Sequence, residues 1–358
     1  MAENTVAKKS KLQAKIDLFK GLSPQDKKRY ISDILFNNAM YIIIVLAIIF
    51  IAIKVPAFIS LNSIVNIISL TAARMPIALG VAGCIVLAGT DISAGRAVGL
   101  AACISGSLLT TANKIFPGME VQPLWMVILI ILAVGAIIGF VNGFCMAKFK
   151  LHPYIVTLST QLILYGAILL YLKMGENNGQ TLSSLSEGYR NLVAGTLFTI
   201  GGVAIPKYVL YAVALTAIMW VIWNKTTLGK NMFAVGSNEE AANVSGVNVT
   251  RTIILVFVMA GMMYAITGFF EGARIASING TTGFNYEADA IAACVIGGVS
   301  FVGGIGKISG IFVGVLLLQV IFTGLNFLSV DQNILYIIKG LVILVACAID
   351  MRKYLVKK

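Results

Sequence analysis

Residues 124–147 read LWMVILIILAVGAIIGFVNGFCMA, an apolar run without a single charged side chain. Such a run is a candidate membrane span, because about 20 apolar residues rising 1.5 Å each cover the ~30 Å hydrocarbon core of a bilayer. Gly135, Gly139 and Gly143 recur within it at the spacing that lets helices in lipid approach backbone to backbone. Nine further apolar segments flank it, near 36–54, 62–88, 94–112, 153–172, 207–223, 251–271, 288–304, 308–327 and 334–350. The expected fold class is an all-α polytopic membrane protein with about ten transmembrane helices.

Composition agrees. Of 358 residues, 58% are hydrophobic and only 12% charged, with a mean hydropathy of +0.92. A soluble domain carries roughly twice that share of charge. Cys84, Cys103, Cys145, Cys294 and Cys347 all fall inside apolar runs, and His152 is the only histidine. Neither disulfides nor a metal site is implied. The second segment contains Arg74, Met75 and Pro76, so it is expected to kink or split, since proline removes an intrahelical hydrogen bond.

Charge sets the orientation. With the N-terminus in the cytoplasm and an even number of spans, both termini are cytoplasmic. Inside segments then hold 19 of the 27 lysines and arginines, the bias that the positive-inside rule predicts. The net charge of +12 therefore needs no nucleic acid. Residues 1–34 form a basic cytoplasmic tail, without a cleavable signal peptide, in which Lys8–Leu22 reads either as a surface-lying amphipathic helix or as a solvated tail. Residues 35–350 are the transmembrane domain, and residues 351–358 a second basic tail. Residues 173–206 form a polar external loop large enough to offer a docking surface, and residues 224–250 the longest cytoplasmic loop.

The centre of that cytoplasmic loop has helix signals. Ser237 and Glu240 have capping-box spacing, Ala241 and Ala242 favour helix, and Gly246 suits the position after the C-terminus. The reading is a short helix of about eight residues, roughly 12 Å long, held between two spans. It is either an insert for a partner's groove or an ordinary connecting turn.

At these residues the chain resembles a known family. The pattern Gly236-Ser237-Asn238-x-Glu240-Ala241-Ala242-x-x-Ser245-Gly246-Val247-Asn248, which includes Glu239, is similar to the cytoplasmic coupling loop of ATP-binding-cassette sugar permeases, ribose/xylose/galactose branch. Gly89–Arg96, Tyr286–Ala293, Ile296–Gly306 and Tyr336–Gly340 match the same branch in the same order, and details around Ser93–Arg96 and Asn224–Asn231 resemble its galactose/methyl-galactoside group. Ser237, Ala288 and Lys307 depart from the usual pattern. The resemblance implies a transport subunit of a bacterial inner-membrane importer rather than an enzyme. It also implies a homodimer, a cytoplasmic ATPase subunit that binds ATP and magnesium, and an external sugar-binding protein. This chain has no P-loop of its own: Gly306-Lys307 is followed by Ile308, and Phe301 stands where the motif needs glycine.

Charged groups near the spans each have two readings. Glu271 and Arg274 are either a local ion pair or a docking contact for the external protein; Glu287 and Asp289 are either interfacial or bond sugar hydroxyls or a basic partner patch. Asp91 is placed either to cap the next helix with Ser93 or to contact sugar, and with Arg96 at the inner turn after the second span these residues are path or gating candidates. Lys339 either snorkels or lines a cavity. Because a hexose is neutral, small polar groups such as Thr157, Ser159, Thr160 and Gln161 are the path candidates. The competing class is an ion-gradient-driven secondary transporter, which usually needs acids near the bilayer midplane; here no acid occurs between Glu120 and Glu176.

Overall fold

The computed structural model describes Lys27 and residues 39–355; the expected tail helix over Lys8–Leu22 lies outside them. Two compact units divide the chain, residues 1–49 and 50–358. In the first, helix α1 (Ala39–Lys54) begins; the rest of this account concerns the second.

That unit runs α2 (Leu61–Val86), α3 (Ala94–Leu108), α4 (Leu124–Phe149), α5 (Pro153–Leu172), α6 (Glu187–Ala194), β1 (Thr196–Ile200), β2 (Val203–Pro206), α7 (Tyr208–Lys225), α8 (Thr227–Ser237), α9 (Glu239–Val244), α10 (Val249–Ile275), α11 (Tyr286–Ile296), α12 (Ile308–Phe327) and α13 (Gln332–Leu355). Six of these, α2, α4, α5, α7, α10 and α12, are long and apolar enough to cross a membrane. Every segment expected to span holds a helix, but two are shorter than composition suggested. α3 has 15 residues and α11 has 11, so their axes are roughly 22 and 16 Å long and fall short of the ~30 Å core. α11 stops because Gly298, Gly303 and Gly304 adopt positive φ, which L-residues with a side chain resist. The stretch 297–307 is apolar, yet it is a loop. Composition registers the environment, and both an apolar helix and a protein-covered apolar loop satisfy it.

α2 is unbroken through Pro76. Its second half, Met75 to Val86, is buried throughout, so neighbouring helices hold it in place of the missing hydrogen bond.

Lipid offers no hydrophobic drive for helix association, so close packing must supply it. α4 and α10 achieve this through glycine. A Cβ on Gly135 would strike the carbonyl of Gly261, one on Gly139 the carbonyl of Phe257, and one on Gly143 the Cα of Ile254 at 2.9 Å. Glycines also bring α12 close to α11: Gly310 and Gly314 of α12 lie against Gly297 and Ala293 at the end of α11.

The loop of residues 173–206 is not purely helical. It contains α6 and the antiparallel hairpin β1–β2, which corrects the all-α expectation locally. Two isolated bridges, Thr110 with Leu185 and Leu182 with Ile278, tie this loop to the segments that follow α3 and α10. Tyr189 of α6 is fully buried and donates to the Phe269 carbonyl at 2.6 Å. Burial holds its phenol well above the ordinary value, so the donor stays protonated.

Gly139→Val should lower the thermal midpoint of the detergent-purified protein, with a penalty of roughly 1–3 kcal/mol or more from overpacking. Gly166→Ala on α5, where an added Cβ meets nothing within 4 Å, should not. Equal midpoints for the two variants would refute the close α4–α10 contact.

Candidate functional site

Three constellations carry the residues singled out by sequence. The first is the arm formed by α8 and α9. Thr226 caps α8, its hydroxyl accepting from the Gly229 N–H at 3.3 Å. Asn238 caps α9, its Oδ1 accepting from the Ala241 N–H at 2.9 Å. The expected cap was Ser237, one residue earlier. Ser237 instead ends α8, its hydroxyl donating to the Phe233 carbonyl at 2.8 Å. α9 is accordingly six residues long rather than eight. At its far end Gly246 has φ +84°, and the N–H groups of Gly246 and Val247 donate to Asn243 and Ala242, both at 3.0 Å. That is the paired pattern by which a left-handed residue closes a helix.

A helix this short is marginal alone, and its surroundings fix it. Ala242 is buried while Val244 is 89% exposed, so α9 has an anchored face and an offered one. Glu239 pairs with Lys150 in the left-handed residue that ends α4; both are exposed, so the pair adds only about 0–1 kcal/mol. Beside α9 lies a concavity of about 480 Å³ lined by Lys150, Glu240, Asn243, Gly246 and Asn248 among others. Asn248 then caps α10, accepting from the Arg251 N–H at 2.9 Å.

The arm is seated by glycines from separate motifs. A Cβ on Gly236 would strike the Val86 carbonyl at the end of α2, and one on Gly304 would meet the Cα of Ser237 at 2.9 Å. The Gly304 N–H also donates to the Val86 carbonyl at 2.8 Å. The sequence blocks 236–248 and 296–306 are thus two sides of one contact.

The second constellation is a buried polar relay. Asp91 Oδ1 accepts from the N–H and the hydroxyl of Ser93, at 2.9 and 2.6 Å. The carboxylate therefore closes the turn before α3; it does not reach the first turn of the helix, and Ser93 makes no side-chain cap. Asn142 Nδ2 donates to Ser93 Oγ at 3.0 Å, and Thr160 Oγ1 donates to Asn142 Oδ1 at 2.6 Å. Thr157 bonds Pro153 and Thr90 carbonyls at 3.0 and 3.3 Å. Three of the candidates, Asp91, Ser93 and Thr160, are joined through Asn142, a junction that escaped the sequence reading. Its only signal was an amide inside an otherwise apolar span. Arg96 donates to the Gly280 carbonyl at 3.1 Å and lies over the Tyr165 ring at 4.4 Å. Ser159 is exposed and bonds its own helix at Ile155, and Gln161 is half-buried.

The third constellation gathers the charges of α10, α2 and α11. Glu271 is fully buried; its Oε2 accepts from Arg274 Nε and Nη2 at 3.1 and 2.7 Å. Arg74 Nε stands 3.5 Å from Oε1 and its guanidinium lies 3.2 Å above the Tyr286 ring. Asp289 pairs with Lys339 at 3.0 Å, so Lys339 has a partner as well as the Phe322 ring 4.4 Å away. Glu287 is buried against Gly95, whose added Cβ would strike its carboxylate. Of the four charged residues read as docking candidates, only Arg274 keeps appreciable side-chain exposure, at 26%.

Comparison with known proteins gives one direction. The family described as "Branched-chain amino acid transport system / permease component" matches residues 63–347. The galactose/methyl galactoside import permease protein MglC of Haemophilus influenzae is 43% identical over 329 residues, covering 91% of this chain and 97% of that one. Its Escherichia coli counterpart is 42% identical, covering 94% and 100%. The ribose import permease protein RbsC of Escherichia coli is 35% identical over 302 residues, covering 83% and 88%. No solved structure matches.

Glu271→Ala should destabilise the protein by roughly 3–5 kcal/mol, because it leaves two arginines uncompensated in a buried setting. Arg74→Met combined with Glu271→Leu should recover part of the loss in a thermal-unfolding series. A single variant as stable as the parent would mean the triad is not formed.

Proposed function

The chain belongs to the branched-chain amino acid transport system / permease component family, and on that footing we propose that it is the membrane-spanning subunit of an ATP-binding-cassette importer for a hexose. Galactose or a methyl galactoside is the cargo, as in the names of its relatives. It is a multi-pass protein of the bacterial inner membrane and a transport component rather than an enzyme. A separate ATPase subunit, holding ATP and magnesium, works against α9 from the cytoplasm, and a sugar-binding protein delivers cargo outside. Two copies of the chain act together.

The observation that carries this reading is the seat of the arm. α9 offers an exposed face to a partner, and its neighbour α8 is locked to the end of α2 and to the loop before α12. Through Asn248 the arm also runs directly into α10. A partner that tilts α9 therefore pulls on three helices at once. ATP supplies the differential affinity between two arrangements, without which no population shifts.

Ten crossings with both termini inside fit this mechanism. Two crossings are made by the short helices α3 and α11, each completed by irregular backbone that neighbouring groups hold, through Asp91 and Ser93 in one case and the Val86 carbonyl in the other, as backbone at membrane depth requires. The relay of Asp91, Ser93, Asn142 and Thr160 holds the turn before α3 against α4 and α5. It acts as the closed gate, and its hydroxyls and amide suit a neutral sugar. Arg274, backed by Glu271, and the 173–206 loop face the external protein.

In proteoliposomes with the ATPase subunit and the binding protein, Glu240→Lys or Gly246→Val should insert normally. Each should lose ATP-driven galactose uptake by roughly 5- to 150-fold, the range of an ordinary coupling free energy. Wild-type coupling in both variants would remove α9 from the mechanism. Uptake driven by an ion gradient without nucleotide would replace the importer with a secondary transporter.

A further inference from the structure

Between α2, α7 and α12 lies a groove of about 790 Å³ whose lining includes Met75, Val213, Thr216, Trp220 and Phe312. All three helices are among the six long apolar ones, so the groove opens toward lipid rather than water. Its hydroxyls at Thr71 and Thr216 are turned away, donating to the Ile67 and Ala212 carbonyls at 2.7 Å each, which leaves an apolar wall. Val213, Trp220 and Phe312 are nevertheless exposed, at 62%, 47% and 47%.

One end of the groove differs chemically from the rest. Trp220 closes it there, with Lys225 Nζ 5.8 Å from the ring centroid. On the other wall Lys307 immediately precedes Ile308 and Ser309, which also line the groove. Both lysines belong to the same end of the groove, because Trp223 packs against Gly306: a Cβ there would lie 3.4 Å from the indole. Both lysines are exposed, and neither forms an ion pair among the described residues. Tryptophan and lysine at the end of a span mark the headgroup level.

We propose that this groove is a binding site for an anionic phospholipid, with an acyl chain along α7 and the headgroup phosphate on Lys225 and Lys307. A second copy of the chain fits less well. Among the described side chains, Glu271, Glu287 and Asp289 of its spanning helices are buried and, of the exposed acids of the α9 arm, Glu239 already pairs with Lys150, which leaves Glu240 alone against two lysines. An anionic headgroup meets both, and each lysine near the surface contributes a preference of roughly fivefold, about thirtyfold for the pair.

The full chain, purified in mild detergent, should be examined by native mass spectrometry against phosphatidylglycerol and phosphatidylcholine with identical acyl chains. The expected result is a phosphatidylglycerol adduct favoured about thirtyfold, falling to parity in the double variant Lys225→Gln/Lys307→Gln. Ala217→Phe, which fills the groove from α7, should lose both adducts while keeping the circular-dichroism spectrum and thermal midpoint in phosphatidylcholine. Equal binding of the two lipids by the parent chain would overturn the proposal, as would undiminished phosphatidylglycerol binding by either variant. So would equal competition by inorganic phosphate, or a Val213→Cys variant that crosslinks to its own copy in membranes.

Discussion

The backbone contact between α4 and α10 is the constraint on which the rest of the structure depends. Two helices whose carbonyls lie where a Cβ would otherwise sit can neither slide nor separate by small steps. α10 is thereby fixed along its length. It starts at the capped end of the α8–α9 arm and carries Glu271 and Arg274 in its last turns. Anything that moves one end of such a rod moves the other.

Two charge clusters among the described residues tie helices together. Glu271 between two arginines, and Asp289 with Lys339, join α10 to α2 and α11 to α13. An unpaired carboxylate at these depths costs several kcal/mol, which is why removing one partner is worse than removing both.

The irregular segments obey the same rule by other means. The turn before α3 and the glycine loop after α11 expose backbone groups that lipid cannot satisfy. Side chains and neighbouring carbonyls satisfy them instead, through Asp91 and Ser93 in one case and through Val86 in the other. These two places combine small residues, satisfied polar groups and no long helix to stiffen them. A chain built to change shape would keep its regular helices rigid and let such segments move.

The apolar runs determined by themselves where helices form and that they belong in a bilayer, because span length and hydropathy are local quantities. Gly135, Gly139 and Gly143 announced a close helix contact, and Gly246 announced the end of α9, since both follow from backbone sterics at one residue. The cap at Asn238 rather than Ser237 was a near miss: both residue types cap, and only the path of α8 decided which one was left outside a helix. Nothing local could reveal that Glu271 pairs with Arg74, that Asp289 pairs with Lys339, or that Asn142 joins Ser93 to Thr160. Those are distances between helices far apart in the chain, and they exist only once packing has chosen which faces meet. The short reach of α3 and α11 was hidden for the same reason: burial by neighbours makes an apolar loop indistinguishable in composition from an apolar helix.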